Sequence, residues 1–109
     1  MAFTQKITWE TMRTLDTSTL SGSYAKVGTP ITNPSIKLKM VNNSNVLVTV
    51  SIDGSTDIDV LPAGTFFLYD EFITGIPSTQ FLPAKTQIYV KGSSGTGLIY
   101  LVTQYIIVG

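Results

Sequence analysis

From Met40 to Asp70 apolar residues recur at every second position, in short runs that each stop at a turn-forming pair or cluster, and this rhythm limits the fold more than any other feature. A period of two belongs to strands, because successive side chains of a strand point to opposite faces of a sheet. Ile36, Leu38 and Met40 alternate with Lys37 and Lys39, which predicts a strand with one wet face. Asn42-Asn43-Ser44-Asn45 reads as a turn, since Asn tolerates left-handed backbone angles and its side chain satisfies nearby amides. Val46 to Ile52 then pairs back as the next strand, with Val46, Val48, Val50 and Ile52 on one face. Asp53-Gly54 opens a tight turn. Ile58 and Val60 carry a short strand into the connector Leu61-Pro62-Ala63-Gly64, which leads to Phe66, Phe67, Leu68 and Tyr69.

The same grammar covers most of the remaining chain. Tyr24 to Val27 is a short strand closed by Gly28, and the two prolines in Thr29 to Pro34 make a loop by denying ladder hydrogen bonds. Prolines and glycines keep Glu71 to Ala84 irregular, yet Phe72, Ile73, Ile76, Phe81 and Leu82 are too apolar for a free linker. Thr86 to Lys91 is a strand with Ile88 and Val90 on one face, and Gly92 to Gly97 is read as a hairpin turn. Leu98 to Val108 is the longest strand candidate, and it is apolar on both faces: Leu98, Tyr100, Val102, Ile106 and Val108 on one, Ile99, Leu101, Tyr105 and Ile107 on the other. A small sandwich normally leaves the outer face of each sheet to solvent, so the second apolar face points to a subunit contact rather than to burial within one domain. The segment before Gly22 is polar and Thr-rich with isolated Phe3, Ile7, Trp9, Met12, Leu15 and Leu20, and is read as an extended arm ending in a short strand. Its Trp9 is either a core plug or an anchor in a neighbouring subunit.

These elements predict an all-β fold: a single antiparallel β-sandwich, jelly-roll-like, of seven or eight strands over residues 22–109, with residues 1–21 as arm and first short strand. One compact domain suits 109 residues. Seven Lys and Arg balance seven Asp and Glu, so no long-range field gathers nucleic acid or an anionic membrane. Only 13% of residues are charged while 43% are hydrophobic, a surface suited to packing against protein neighbours. No stretch reaches the roughly 18–20 apolar residues of a membrane span, and the start of the chain has no signal-peptide pattern.

Chemistry finds few footholds. Without His or Cys there is no imidazole base, thiol nucleophile, disulfide or thiolate metal site. Asp53, Asp57 and Asp59 cluster in sequence, but the Gly stands second and no closing Glu follows, so the segment is not an EF-hand loop. A looser calcium site on Asp57, Asp59 and backbone carbonyls is the alternative to plain turn carboxylates. Gly92 to Gly97 lacks the Gly-Lys-Ser/Thr ending of a phosphate loop. Lys37, Lys39 and Lys91 lie on strands and read as a solvated face. The expectation is a protein with no catalytic, cofactor-binding or metal-binding residues and no cofactor.

The Asn-rich turn at Asn42 and Asn43, the V-x-V-S-x-D-G run Val48 to Gly54, the L-P-A-G of Leu61 to Gly64, Asp70, and the closing strand Leu98 to Tyr105 together resemble a group of small virion structural proteins of tailed bacteriophages. The likeness spans about two-thirds of the chain, Ile36 to Tyr105, and leaves out the arm. It implies a non-enzymatic β-sandwich assembled in many copies on the particle, as a capsid decoration or cement protein or a head-tail component. Expected partners are copies of itself and other virion proteins, without nucleic acid or membrane, in a virion assembled in the bacterial cytoplasm. Expected interface residues are Phe3, Ile7, Trp9, Met12, Tyr100, Val102, Tyr105 and Ile107. The alternative is a carbohydrate- or receptor-binding module in which Tyr69, Phe72, Tyr89 and Tyr105 stack on a sugar.

Overall fold

The structure, a computed structural model, describes residues 5–35, 37–70 and 83–108, and the side chains of all of these except 5, 6, 69, 70 and 106–108. Its strands are β1 (Gln5–Trp9), β2 (Arg13–Asp16), β3 (Ala25–Lys26), β4 (Lys37–Ser44), β5 (Val48–Ser51), β6 (Asp59–Leu61), β7 (Phe66–Asp70), β8 (Tyr89–Lys91) and β9 (Gly97–Val108). A single 3-10 turn, Thr17–Thr19, is capped by Asp16, whose carboxylate accepts the Ser18 N–H at 2.9 Å. The strands form two antiparallel sheets. The first runs β1-β9-β4-β7, with β2 also on β9; the second runs β3-β8-β5-β6.

Alternation decides which residues fill the space between the sheets. Leu38 and Met40 of β4 and Ile99 and Leu101 of β9 point inward from the first sheet, while Val48, Val50, Leu61, Ile88 and Val90 point inward from the second. Leu20 and Val27, flanking β3, close the same core. Each such side chain contributes about 1.5–3 kcal/mol by leaving water.

Most connections cross from one sheet to the other, and here the structure corrects several readings. Gly92 to Gly97 is not a hairpin turn, because β8 lies in the second sheet and β9 in the first. β5 does not pair back on β4; it pairs with β6 and β8. The only hairpin within a sheet between consecutive described strands is β5–β6, turned by Asp53-Gly54 with Gly54 at φ +78°. Asn42, Asn43 and Ser44 are not in a turn either, since β4 runs through them. Burial overrides their turn propensity: Asn42 is fully buried, and its Nδ2 donates to the carbonyls of Val46 at 2.8 Å and Leu61 at 2.9 Å.

The N-terminal segment lies on its own chain. β1 pairs with the end of β9, Gln5 opposite Val108 through Trp9 opposite Gln104, and β2 pairs with its start, Arg13 opposite Leu101 through Asp16 opposite Leu98. The expected arm is therefore, over residues 5–16, part of the first sheet, which also raises the strand number to nine among the described residues. Phe3 and most of the expected loop from Glu71 to Ala84 lie outside the described residues. The molecule measures 54 × 23 × 21 Å, and β9 alone spans roughly 40 Å of the long direction.

Candidate functional site

The alternation that buries Leu38, Met40, Ile99 and Leu101 turns the neighbouring residues outward. Register carries them into rows across the first sheet. Phe66, Val41, Tyr100 and Thr14 stand side by side on β7, β4, β9 and β2. Leu68, Lys39 and Val102 form the next row, Trp9 faces outward beside Gln104, and Ile7 follows it on β1. The result is a mixed outer face, with Phe66, Leu68, Val41, Tyr100 and Val102 toward one end, Ile7 and Trp9 toward the other, and Lys37, Lys39 and Gln104 between them. Phe66 is 66% exposed and Trp9 61%, with Ile7 and Leu68 also exposed. Trp9 is thus not a core plug. Val41, Tyr100 and Val102 are half-buried between these projecting neighbours.

Four of the expected interface residues, Ile7, Trp9, Tyr100 and Val102, meet on this face. Met12 is exposed in the connector between β1 and β2. Tyr105 has the opposite parity on β9, opposite Thr8, and is half-buried. Ile107 stands opposite Lys6 in register, and its side chain, like Phe3, is outside the described residues. Phe66 and Leu68 belong to the face and were not anticipated. The signal was present: Phe66, Phe67, Leu68 and Tyr69 are apolar at both parities, as in β9.

An ion pair fixes how β1 enters this face. Arg13 is buried, and its Nη2 donates to Glu10 Oε1 at 2.8 Å and to the Pro30 carbonyl at 2.9 Å, while its Nε donates to the Thr29 carbonyl at 2.7 Å. Glu10 accepts the backbone N–H groups of Thr32 and Asn33, the latter at 2.7 Å. Burial pushes the Glu10 carboxyl pKa up, but the Thr32 N–H, the Arg13 guanidinium and the Asn33 N–H outweigh it and hold the group below its ordinary value. Gly28 lies against this pair at φ +66°, and a Cβ there would stand 2.8 Å from the Arg13 side chain. The connector is locked to the Thr29–Ser35 loop, and Trp9 is the residue next to the lock.

The second sheet carries a polar and aromatic cluster on its outer face. The Tyr24 and Tyr89 rings meet edge to face, 6.5 Å apart. Lys91 Nζ sits 4.7 Å over the Tyr24 ring and 2.9 Å from Asp57 Oδ1, which also accepts the Tyr24 hydroxyl. With one face of Tyr24 covered by Lys91 and Tyr89 meeting its partner edge-on, the pair offers no open, coplanar stacking platform. Beside Lys91 lies a shallow depression lined by Gly22, Val46, Leu47, Thr49, Gly92 and Ser93.

The carboxylates considered for metal binding are each engaged locally. Asp53 accepts the N–H groups of Ser55 and Thr56, both at 2.8 Å, and the Ser51 hydroxyl, and these bonds hold its pKa well below the carboxylate range. Asp59 accepts the Val60 N–H at 2.8 Å. No group of three Asp, Glu, His or Cys residues able to hold a metal ion occurs among the described residues. In comparison with known proteins, no family model and no curated protein matches this chain.

Proposed function

We propose that the protein is a non-enzymatic structural component of a tailed-bacteriophage virion, assembling in multiple copies as a capsid decoration, cement or head-tail protein. The observation that carries this reading is the number of large apolar side chains exposed on the outer side of the first sheet, Ile7 and Trp9 on β1 and Phe66 and Leu68 on β7. Soluble proteins rarely leave such a patch to water unless something docks on it. The strand pairs add support. β2·β9, β3·β8, β4·β7 and β5·β6 are nested one inside the next, the winding of a jelly-roll-like sandwich. The motif resemblance from Ile36 to Tyr105 supplies the virion context.

Sedimentation velocity of the full chain tests the assembly. The wild type is expected as oligomers, and the double variant Trp9→Ser, Phe66→Ser as monomers with an unchanged far-UV circular dichroism spectrum. A wild type that stays monomeric at high concentration overturns the multi-copy reading. Recovery of the chain at many copies per purified phage particle tests the virion assignment, and its absence from particles removes it.

A further inference from the structure

We infer that β7 is a docking edge whose occupant is β7 of a second copy, paired antiparallel across a twofold axis so that the first sheets of the two copies run on as one. This rests on the multi-copy reading proposed above. Among the described residues no strand lies beyond β7, which ends the order β1-β9-β4-β7. The Asn42 N–H donates to the Thr65 carbonyl at 2.8 Å, and that bond sets the phase of the β4–β7 ladder. Hydrogen-bonded pairs alternate along antiparallel strands. Phe67 and Tyr69 therefore turn their backbone groups toward β4, whereas Phe66 and Leu68 turn theirs outward, where no described residue meets them. The side chains of those two residues stand 66% and 49% exposed.

The other edges are blunted in the ways that keep strands from pairing with another chain. β3 is two residues long and carries Lys26; β6 is three, carries Asp59 and runs into Pro62. β1 carries Lys6, and β2 carries Arg13 and Asp16. β7 has no charge or proline from Phe66 through Tyr69, and an edge of this kind accepts an added strand. A second copy fits because the edge is self-complementary. One antiparallel register sets Phe66 opposite Leu68, exchanges about four backbone hydrogen bonds and pairs apolar residues on the outer side. The next register sets Phe66 opposite Asp70, an apolar residue against an acidic one, so the first is favoured. It also keeps Lys39 of the two copies in different rows with both β7 strands between them, at least roughly 14 Å apart and beyond a Debye length at physiological salt. Such an isologous contact closes on itself and leaves no bare edge to recruit a third copy.

Sedimentation velocity of the full chain and of edge variants tests the inference. Leu68→Pro removes an outward N–H at a position where an edge strand tolerates proline, and Phe66→Lys puts a charge on the edge. Each is expected to raise the dissociation constant for self-association at least tenfold, with an unchanged far-UV circular dichroism spectrum. Val60→Lys, which puts the same charge on the edge strand of the second sheet, is expected to associate as wild type. Because the chain has no Cys, introduced thiols report the register. Chains carrying Phe66→Cys and chains carrying Leu68→Cys are expected to crosslink to each other under mild oxidation, since opposed Cα atoms lie about 5.5 Å apart. Either chain crosslinks with itself at least tenfold more slowly, because its two thiols are offset to a Cα separation of roughly 8–9 Å. If wild type associates while Leu68→Pro and Phe66→Lys do so equally well, the edge pairing is wrong and the multi-copy reading survives. Mixed thiol chains that crosslink no faster than either alone also overturn it, and a monomeric wild type overturns both.

Discussion

Asn42 joins the two sheets through one side chain. It sits on β4 of the first sheet and donates to the carbonyls of Val46 and Leu61, which belong to the crossover before β5 and to β6, while its Oδ1 accepts the Ser44 hydroxyl at 2.5 Å. Removing the amide leaves buried carbonyls without donors, at a cost of about 1–3 kcal/mol each. Asn42→Ala is expected to lower the unfolding free energy by about 2–4 kcal/mol in urea titration. Asn42→Asp should be worse, since a carboxylate cannot donate and would be buried charged. Glu10 gives a pH signature. Its folded pKa lies below the ordinary value of 4.5, so its contribution is complete above that pH and is lost as pH falls below it. The melting temperature of wild type should therefore fall as the pH drops below 4.5, and Glu10→Gln, less stable at neutral pH, should lose less over that interval. The Asn cluster suggested a turn, and β4 instead runs through Asn42 to Ser44. That Asn42 would be buried between sheets was not legible in the sequence, because nothing local distinguishes it from exposed Asn43.

Strand β9 is the element on which the first sheet depends. Over Gly97–Gln104 it pairs with β4 on one side, and over Leu98–Leu101 with β2 on the other, so this half is flanked by two neighbours. Among the described pairings, Tyr105 to Val108 meets only β1. Amide hydrogen exchange is expected to be slow at Ile99 to Leu101, which β2 and β4 flank on both sides, and rapid exchange there would contradict the pairing. The doubly apolar pattern of β9 places apolar side chains on both sides of the first sheet, and Ile7 and Trp9 join its outer side because register aligns β1 with the end of β9. Gly97 makes the entry to the strand possible. At φ +128° it passes so close to β4 that a Cβ would lie 2.2 Å from the Asn43 carbonyl oxygen.

At the scale of the molecule, the nested pairing brings residues 13–16 against 98–101 and residues 25–26 against 89–90, so the chain must close long loops before its sheets gain their contacts. The same winding leaves two outer sheet faces on opposite sides, and both carry exposed apolar residues. Alternation and turn chemistry in the sequence determined that the chain is all-β, where most strands lie, and which side chains face inward, because those depend on a residue and its near neighbours. The absence of His and Cys likewise followed from reading alone. Only the tertiary structure decided that Gly92 to Gly97 crosses between sheets, that the N-terminal segment lies on β9, and that Phe66 shares a face with Trp9. Those facts depend on which distant strands become neighbours. A period of two assigns each residue to a face of its strand, but pairing and register decide which faces join into one surface.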